Sequence, residues 1–256
     1  MEVAPMLRSK WEHFFVLFMV MLFLTGVFLL LYPYAQGAVV DRRMTLEAED
    51  FLSRFPGEPE DGEPGIIAFP TMPESEESRP YPELWDAMSA YNETIYLEGQ
   101  AGLSTSYAYQ SPSFTLADYG LEDEKFGVIT IPKLDLEMPL FLGANNQHMA
   151  DGAAVLSQTS IPIGGANTNA VIAGHRGYGG ASYFRYVTDL TVGDTVIITN
   201  LWETLTYKVV GSKIIEPYEA EEILIQPGRD MITLLTCHPY ASGGKQRYLV
   251  FCERTT

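Results

Sequence analysis

From Phe14 to Tyr32 the chain reads FFVLFMVMLFLTGVFLLLY, almost wholly apolar. Nineteen charge-free residues, rising about 1.5 Å each, nearly cross a hydrocarbon layer about 30 Å thick. The run predicts a transmembrane helix, with an anchor at 14–36 and a short tail at 1–13. A cleaved signal peptide is the competing reading, because the stretch from Ala35 to Gly37 could serve as a peptidase site. Signal h-regions usually run to only about 15 residues, which favours a retained anchor. After the anchor the pattern is lost: residues 37–82 read as an acidic linker. Between Pro56 and Glu83 there are seven Pro, three Gly and eight acidic residues, a composition that stays extended and builds no core. One apolar island interrupts it, Ile66, Ile67 and Phe69, either a stray patch or a plug that docks in a groove further on.

Periodicity returns at Glu83. Leu84, Met88, Tyr91 and Ile95 recur at helical spacing, with Trp85 and Ala87 widening the stripe, which predicts one amphipathic helix ending before Gly99. Residues 99–125 are polar and aperiodic, so 83–125 reads as a helix followed by a long loop. From Phe126 onward, short β-branched and aromatic runs alternate with Gly, Pro, Asn and Asp. Strands are expected near 126–131, 138–142, 170–174, 194–199, 204–210, 212–216, 231–236 and 247–252, with a helical turn near 218–224. Eight short strands point to a mainly β domain at 126–256, closed into a barrel or sandwich so that few edges are left unpaired.

Charge and composition narrow the function. The formal net charge is −17, and residues 1–36 sum to zero, so all of it belongs to the remainder. Such a surface does not hold nucleic acid through its phosphates, and anionic lipid repels it, so the domain should hang off the membrane rather than lie on it. Arg8 and Lys10 before the apolar run are matched by Arg42 and Arg43 after it, and the positive-inside rule does not orient the anchor. With two cysteines, Cys237 and Cys252, neither a disulfide scaffold nor a multi-thiolate metal site is available. No cluster of metal ligands is seen, and no cofactor is expected.

Cys237 closes the strand Met231–Thr236, at an exposed strand-to-loop junction. A lone Cys is more often inert, but His175 ends another strand in the same way, and imidazole can take or return a thiol proton. Arg247 opens the last strand. The intervening HPYASGGKQ reads as a hairpin loop that would bring Arg247 to the same end of the sheet as Cys237, where a guanidinium can orient a carbonyl or stabilise an oxyanion. Cys252 has the opposite strand parity and reads as a small core residue, so a Cys237–Cys252 disulfide is not expected. Thr236 and His238 are candidate substrate-groove residues. A Cys-His peptidase of another fold fits poorly, since papain-like enzymes place Cys well before His and the caspase QAC[RQG]G context is absent.

The sequence Thr233-Leu234-Leu235-Thr236-Cys237 resembles the TLxTC signature of sortases. PIGGANTNAVIAGHRGYGG, Pro162 to Gly180, is similar to the region around the sortase histidine, most of all in the class C, pilin-polymerising branch. FGVITIPKLDLEMPLFLG, Phe126 to Gly143, resembles the family's first two strands. The resemblance implies a closed eight-stranded barrel on the outer face of a Gram-positive cell membrane, held by a single-pass anchor, with residues 1–13 as a cytoplasmic tail. It also implies that Cys237 attacks an LPxTG-like sorting signal after its Thr, that His175 moves the proton, and that Arg247 holds the substrate or the oxyanion. The acceptor would be a pilin lysine, with the cell-wall precursor as the alternative. A non-catalytic pilus-assembly scaffold is a second alternative. Class C lids carry an Asp-Pro-aromatic motif, which does not occur between Tyr91 and Phe126. Asp118 and Tyr119 are the nearest substitute, Asp118 to reach Arg247 and Tyr119 to cover Cys237. No second hydrophobic span follows the barrel within these 256 residues.

Overall fold

The computed structural model describes residues 4–54, 79–104 and 109–255; the Ile66–Phe69 island lies outside them. Eight strands close into one barrel in the order β1-β2-β3-β4-β7-β8-β6-β5. They are β1 (Lys125–Ile131), β2 (Leu136–Leu142), β3 (Ala153–Val155), β4 (Thr168–Ala173), β5 (Thr195–Asn200), β6 (Thr204–Ile215), β7 (Asp230–His238) and β8 (Gln246–Arg254). β2–β3 and β4–β7 are parallel and the other pairs antiparallel.

The count agrees with the sequence reading for two compensating reasons. β3 was not expected, because three small or branched residues carry no alternation. The runs 204–210 and 212–216 are one strand, β6, whose register against β8 shifts between Val209 and Gly211. Glycine in a strand interior often marks a bulge rather than an end.

Two helices lean on the barrel. α2 (Pro82–Leu97) is the expected amphipathic helix, burying Leu84, Met88 and Ile95. Its buried Asn92 donates to the Ile161 carbonyl at 3.0 Å and accepts from the Ile161 amide at 2.8 Å, which pins the helix to the wall. α1 (Ala4–Ser53) is longer than expected, running without interruption through Pro33 and past the apolar segment. The linker expected from residue 37 is therefore helical as far as Ser53. The cause is a second stripe, Val40, Met44, Ala48 and Phe51, at spacings of one turn, which packs on the barrel core. Burying Met44 and Phe51 contributes about 1.5–3 kcal/mol each. The apolar window in the Trp11–Ser53 part of α1 has a mean hydropathy of 2.9 and none of it is buried, so by length and composition it is a candidate membrane span.

Strand alternation divides the apolar side chains into two sets. Ala170 and Ile172 of β4, Ile232 and Leu234 of β7, and Val250 and Cys252 of β8 belong to the main core. Val171, Ala173, Leu235, Leu249 and Phe251 alternate with them and form a second cluster on the outer face, covered by Leu103, Ile215 and Ile223.

Candidate active site

The outer face carries the candidate chemistry. β4 and β7 pair in parallel register, Thr168 with Asp230 through Ala173 with Leu235. The pairing extends one step, because the Gly174 amide donates to the Leu235 carbonyl at 3.0 Å and the Thr236 hydroxyl donates to the Gly174 carbonyl at 2.8 Å. His175 and Cys237 are the next residues on each chain. On the other side β7 pairs with β8, and Cys237 stands opposite Arg247. His175, two residues past the end of β4, therefore falls in one row with Cys237 of β7 and Arg247 of β8, all with the parity of the outer-face cluster. Alternate side chains point to opposite faces of a sheet, so the row shares a face.

Cys237 is a free, half-buried thiol. Its Sγ and Arg247 Nη1 lie 3.3 Å and 3.2 Å from the point where a Cβ on Gly244 would be. The absence of a side chain at Gly244, whose φ of +79° also favours glycine, leaves the thiol and the guanidinium side by side. Arg247 Nη1 donates to the Gly244 carbonyl at 2.7 Å and the Gln246 carbonyl at 3.1 Å, which fixes the fork and leaves its remaining N–H groups for a ligand.

His175 is held between two rings that the sequence reading did not single out. Tyr178 stacks on it at 4.8 Å with 24° between planes, and Tyr183 meets it edge-on at 5.6 Å. Burial among these rings lowers the imidazole pKa below its usual value of 6.5, because a low-dielectric surround disfavours the charged form.

Other sequence-predicted residues fall elsewhere. Thr236 is buried at 1% exposure and on the inner-face parity, so its hydroxyl clamps β4 to β7 rather than lining a groove. His238 also has inner-face parity. Arg176 Nη1 donates to its Nδ1 at 2.8 Å, and its ring tilts over Tyr248 at 5.8 Å. Tyr119 packs on Phe114 at 6.5 Å, which in turn meets Tyr91 at 5.5 Å, beside the main core and Leu116. Asp118 is exposed, and among the described residues no hydrogen bond or ion pair joins it to Arg247, whose donors go to its own loop. Cys252 is fully buried in the main core, its pKa pushed up to about 12 by burial. His148 lies in the short helix α3 (Asn146–Asp151), buried and hydrogen-bonded to the Gly143 carbonyl at 2.9 Å.

Residues 129–255 match the family described as the sortase domain. The chain is also similar to Group B Streptococcus pilus island 1 sortase C2, with 32% identity and a TM-score of 0.61 over 69% of this chain and 97% of that one. This chain belongs to the sortase family. Sortase C-1 from Streptococcus pneumoniae is similar over 82% of this chain and 98% of its own, at 30% identity and a TM-score of 0.64. Among curated proteins, sortase D of Bacillus subtilis (strain 168) is 26% identical over 132 residues, 51% of this chain and 64% of that protein. The matched part of sortase A from Streptococcus agalactiae is shorter, 46% of its length; the chain thus spans about half to two-thirds of these curated relatives. Sortases are cysteine transpeptidases, and both the TLLTC strand end and the row built around it lie inside the matched segment.

A cavity of about 820 Å³ lies at the far end of β7, lined by Trp85, Tyr96, Glu203, Asp230 and Arg254. Asp230 opens β7 and Cys237 stands near its close, roughly 23 Å away at about 3.3 Å per residue, so this cavity is separate from the row.

Proposed function

We propose that the chain is a transpeptidase that cleaves an LPxTG-like sorting signal after Thr, holds the acyl group as a thioester on Cys237 and passes it to a pilin lysine amine. The observation that carries this reading is the single row of His175, Cys237 and Arg247. As Cys237 Sγ attacks the Thr carbonyl, neutral His175 takes the thiol proton and becomes imidazolium. The Arg247 guanidinium faces the oxygen on which negative charge develops. The tetrahedral centre collapses by breaking the Thr–Gly C–N bond, and His175 returns the proton to the departing Gly amine. The incoming amine then loses a proton to His175 as its nitrogen attacks the thioester, and as the C–S bond breaks His175 returns that proton to Cys237, which leaves as thiol.

Support for the pilin acceptor comes from the similar solved structures, which are sortases C, one of them from a pilus island. The curated relatives are sortases D and A, which keeps transfer to the cell-wall precursor as a second reading. In either case α1 serves as a single-pass anchor with the barrel on the outer side of the membrane. Candidate lid residues Asp118 and Tyr119 have no place in the proposed cycle, since the contacts of Tyr119 are with Phe114.

The test is mass spectrometry of the full chain in detergent with an LPxTG-like peptide, with and without a pilin subunit. Acyl mass on Cys237, lost in Cys237→Ala, followed by transfer to a pilin lysine, is the expected result. Acylation that transfers only to a wall-precursor amine selects the second reading, and no acylation refutes both.

A further inference from the structure

The apolar run ends at Tyr32, and α1 continues into the stretch that packs against the barrel. The barrel element it meets nearest that point is the turn that follows His175. Gly180 (φ +89°) lies so close to the helix that a Cβ there would sit 2.9 Å from the Pro33 carbonyl carbon and 3.4 Å from Gly37 Cα. In return, a Cβ on Gly37 would sit 2.7 Å from the Ala181 amide nitrogen. Two glycines without side chains let the backbones touch. One turn further, the Asp41 carboxylate accepts from the Ser182 amide at 2.8 Å and from its hydroxyl at 3.1 Å, and Arg43 pairs with Asp151 at 2.7 Å. These contacts tie the turn to α1, and its height above the membrane is set by the helix.

That height can be worked out. At about 1.5 Å per residue, Pro33 stands about 1.5 Å and Gly37 about 7.5 Å beyond Tyr32, and tilt only lowers both. The polar headgroup layer adds roughly 5–7 Å on each side of the hydrocarbon. Gly180 is held between Pro33 and Gly37, at headgroup depth. The side chains around it suit that layer: Tyr178 is 62% exposed and Tyr240 50%, as are Tyr34 at 71% and Tyr32 at 46% on the helix. Tyrosine concentrates at membrane interfaces, ring towards the acyl chains and hydroxyl in water. Arg185 donates to the Tyr240 hydroxyl and lies 4.7 Å over its ring, and Lys245 is exposed in the same loop. The other end of the barrel points away: further along α1, Arg54 reaches Asp123 at 3.2 Å, just before β1, whose Gly127 pairs with Asn200 near the distal cavity.

We propose that the rim of the Cys237 site docks in the headgroup layer of the membrane, with Tyr178 and Tyr240 among phospholipid headgroups and Arg185 and Lys245 facing their phosphates. The proposal rests on reading α1 as a membrane anchor. It does not rest on general attraction to lipid, which a net charge of −17 opposes; the helix imposes the depth. A peptide can then reach Cys237 only by lying along the membrane surface.

The test uses the full chain in phosphatidylcholine vesicles, in a Cys237→Ala background where Cys252 is fully buried. Single cysteines at Phe23→Cys, Tyr178→Cys, Tyr240→Cys and Leu97→Cys are labelled with a small fluorophore. Lipids then carry a nitroxide either on the headgroup or midway along the acyl chain. Labels at 178 and at 240 are expected to lose most of their emission to the headgroup nitroxide and little to the chain nitroxide. The label at 23 should respond to the chain nitroxide, and that at 97, on the end of α2 that lines the distal cavity, to neither. If 23 is quenched while 178 and 240 behave like 97, the rim does not dock and the anchor stands. An unquenched 23 overturns the anchor and the docking together. Two independent rim positions guard against one variant misfolding.

Discussion

Replacing Thr236 by Val tests whether catalysis depends on the β4–β7 clamp. Val has nearly the shape of Thr and keeps the β-branch, so strand propensity and packing change little. What is lost is the 2.8 Å hydrogen bond to the Gly174 carbonyl, in a place where Thr236 is 1% exposed and water cannot replace it. A buried carbonyl left unpaired costs about 1–3 kcal/mol. Gly174 is the residue before His175, and a Cβ on it would meet the Phe184 ring at 2.9 Å or less; once released, its backbone can relax only away from Phe184. A misplacement of about 1 Å in a catalytic group costs on the order of 10²-fold in rate. Thr236→Val should therefore lower the acylation rate of Cys237 by roughly 10–100-fold, with the thiol still alkylated by a small reagent at the parent rate. Thr236→Ser keeps the donor and should stay near the parent. The assay is time-resolved mass spectrometry of the acyl-enzyme, paired with a urea melt. Loss of stability in Thr236→Val with unchanged acylation would refute the argument, because the clamp would then be structural only.

Further outcomes follow from the same geometry. Limited alkylation with iodoacetamide should modify Cys237 and spare Cys252, whose pKa of about 12 and complete burial keep it a thiol out of reach; peptide mapping reads this directly. Tyr178→Ala removes the ring stacked on His175. Since burial lowers the imidazole pKa, exposure raises it, and the acidic limb of the acylation pH profile should move to higher pH; an unmoved limb contradicts the cause assigned here. Gly244→Ala places a Cβ 3.2–3.3 Å from Arg247 Nη1 and Cys237 Sγ at a φ of +79°, and should slow acylation more than it lowers the melting temperature. Phe51→Ala, on the part of α1 beyond the apolar run, should destabilise the protein by about 3–5 kcal/mol, measured by denaturant unfolding. A change of a few tenths would mean that α1 does not pack on the barrel.

That Cys237, His175 and Arg247 fall near strand ends was legible in the sequence, because there a β-rich run meets a Gly- or Pro-containing loop, a local signal. The roles of their neighbours were not, because they depend on register. Thr236 and Cys237 are adjacent in the chain, yet only the β4–β7 pairing shows that one faces the core and the other the solvent side. Tyr178 and Tyr183 are three and eight residues from His175 and meet its ring only because the turn at Gly180 brings the chain back. The helical stretch beyond residue 36 was visible in principle, as Val40, Met44, Ala48 and Phe51, but the Pro- and acid-rich composition further on masked it. β3 has three residues and no alternation, and its strand character comes wholly from its neighbours β2 and β4.

The parallel pairing of β4 with β7 accounts for the long gap between the candidate base and nucleophile. Gly174 and Thr236 are separated by 62 positions, the same offset as every pair from Thr168–Asp230 to Ala173–Leu235 and as His175 and Cys237. A parallel pair cannot be closed by a tight hairpin, and here the crossover carries β5 and β6, which themselves complete the wall. The intervening length is thus set by the barrel and not by the chemistry. Loops within it can lengthen without moving His175 relative to Cys237, at a closure cost that rises only slowly with loop length. What cannot shift by one is the register of β4 against β7, because a single-residue slip would turn every side chain of β4 to the opposite face. His175 would then be taken off the row while Ala170 and Ile172 were expelled from the core. The same packing that stabilises the barrel therefore fixes the alignment of the two groups.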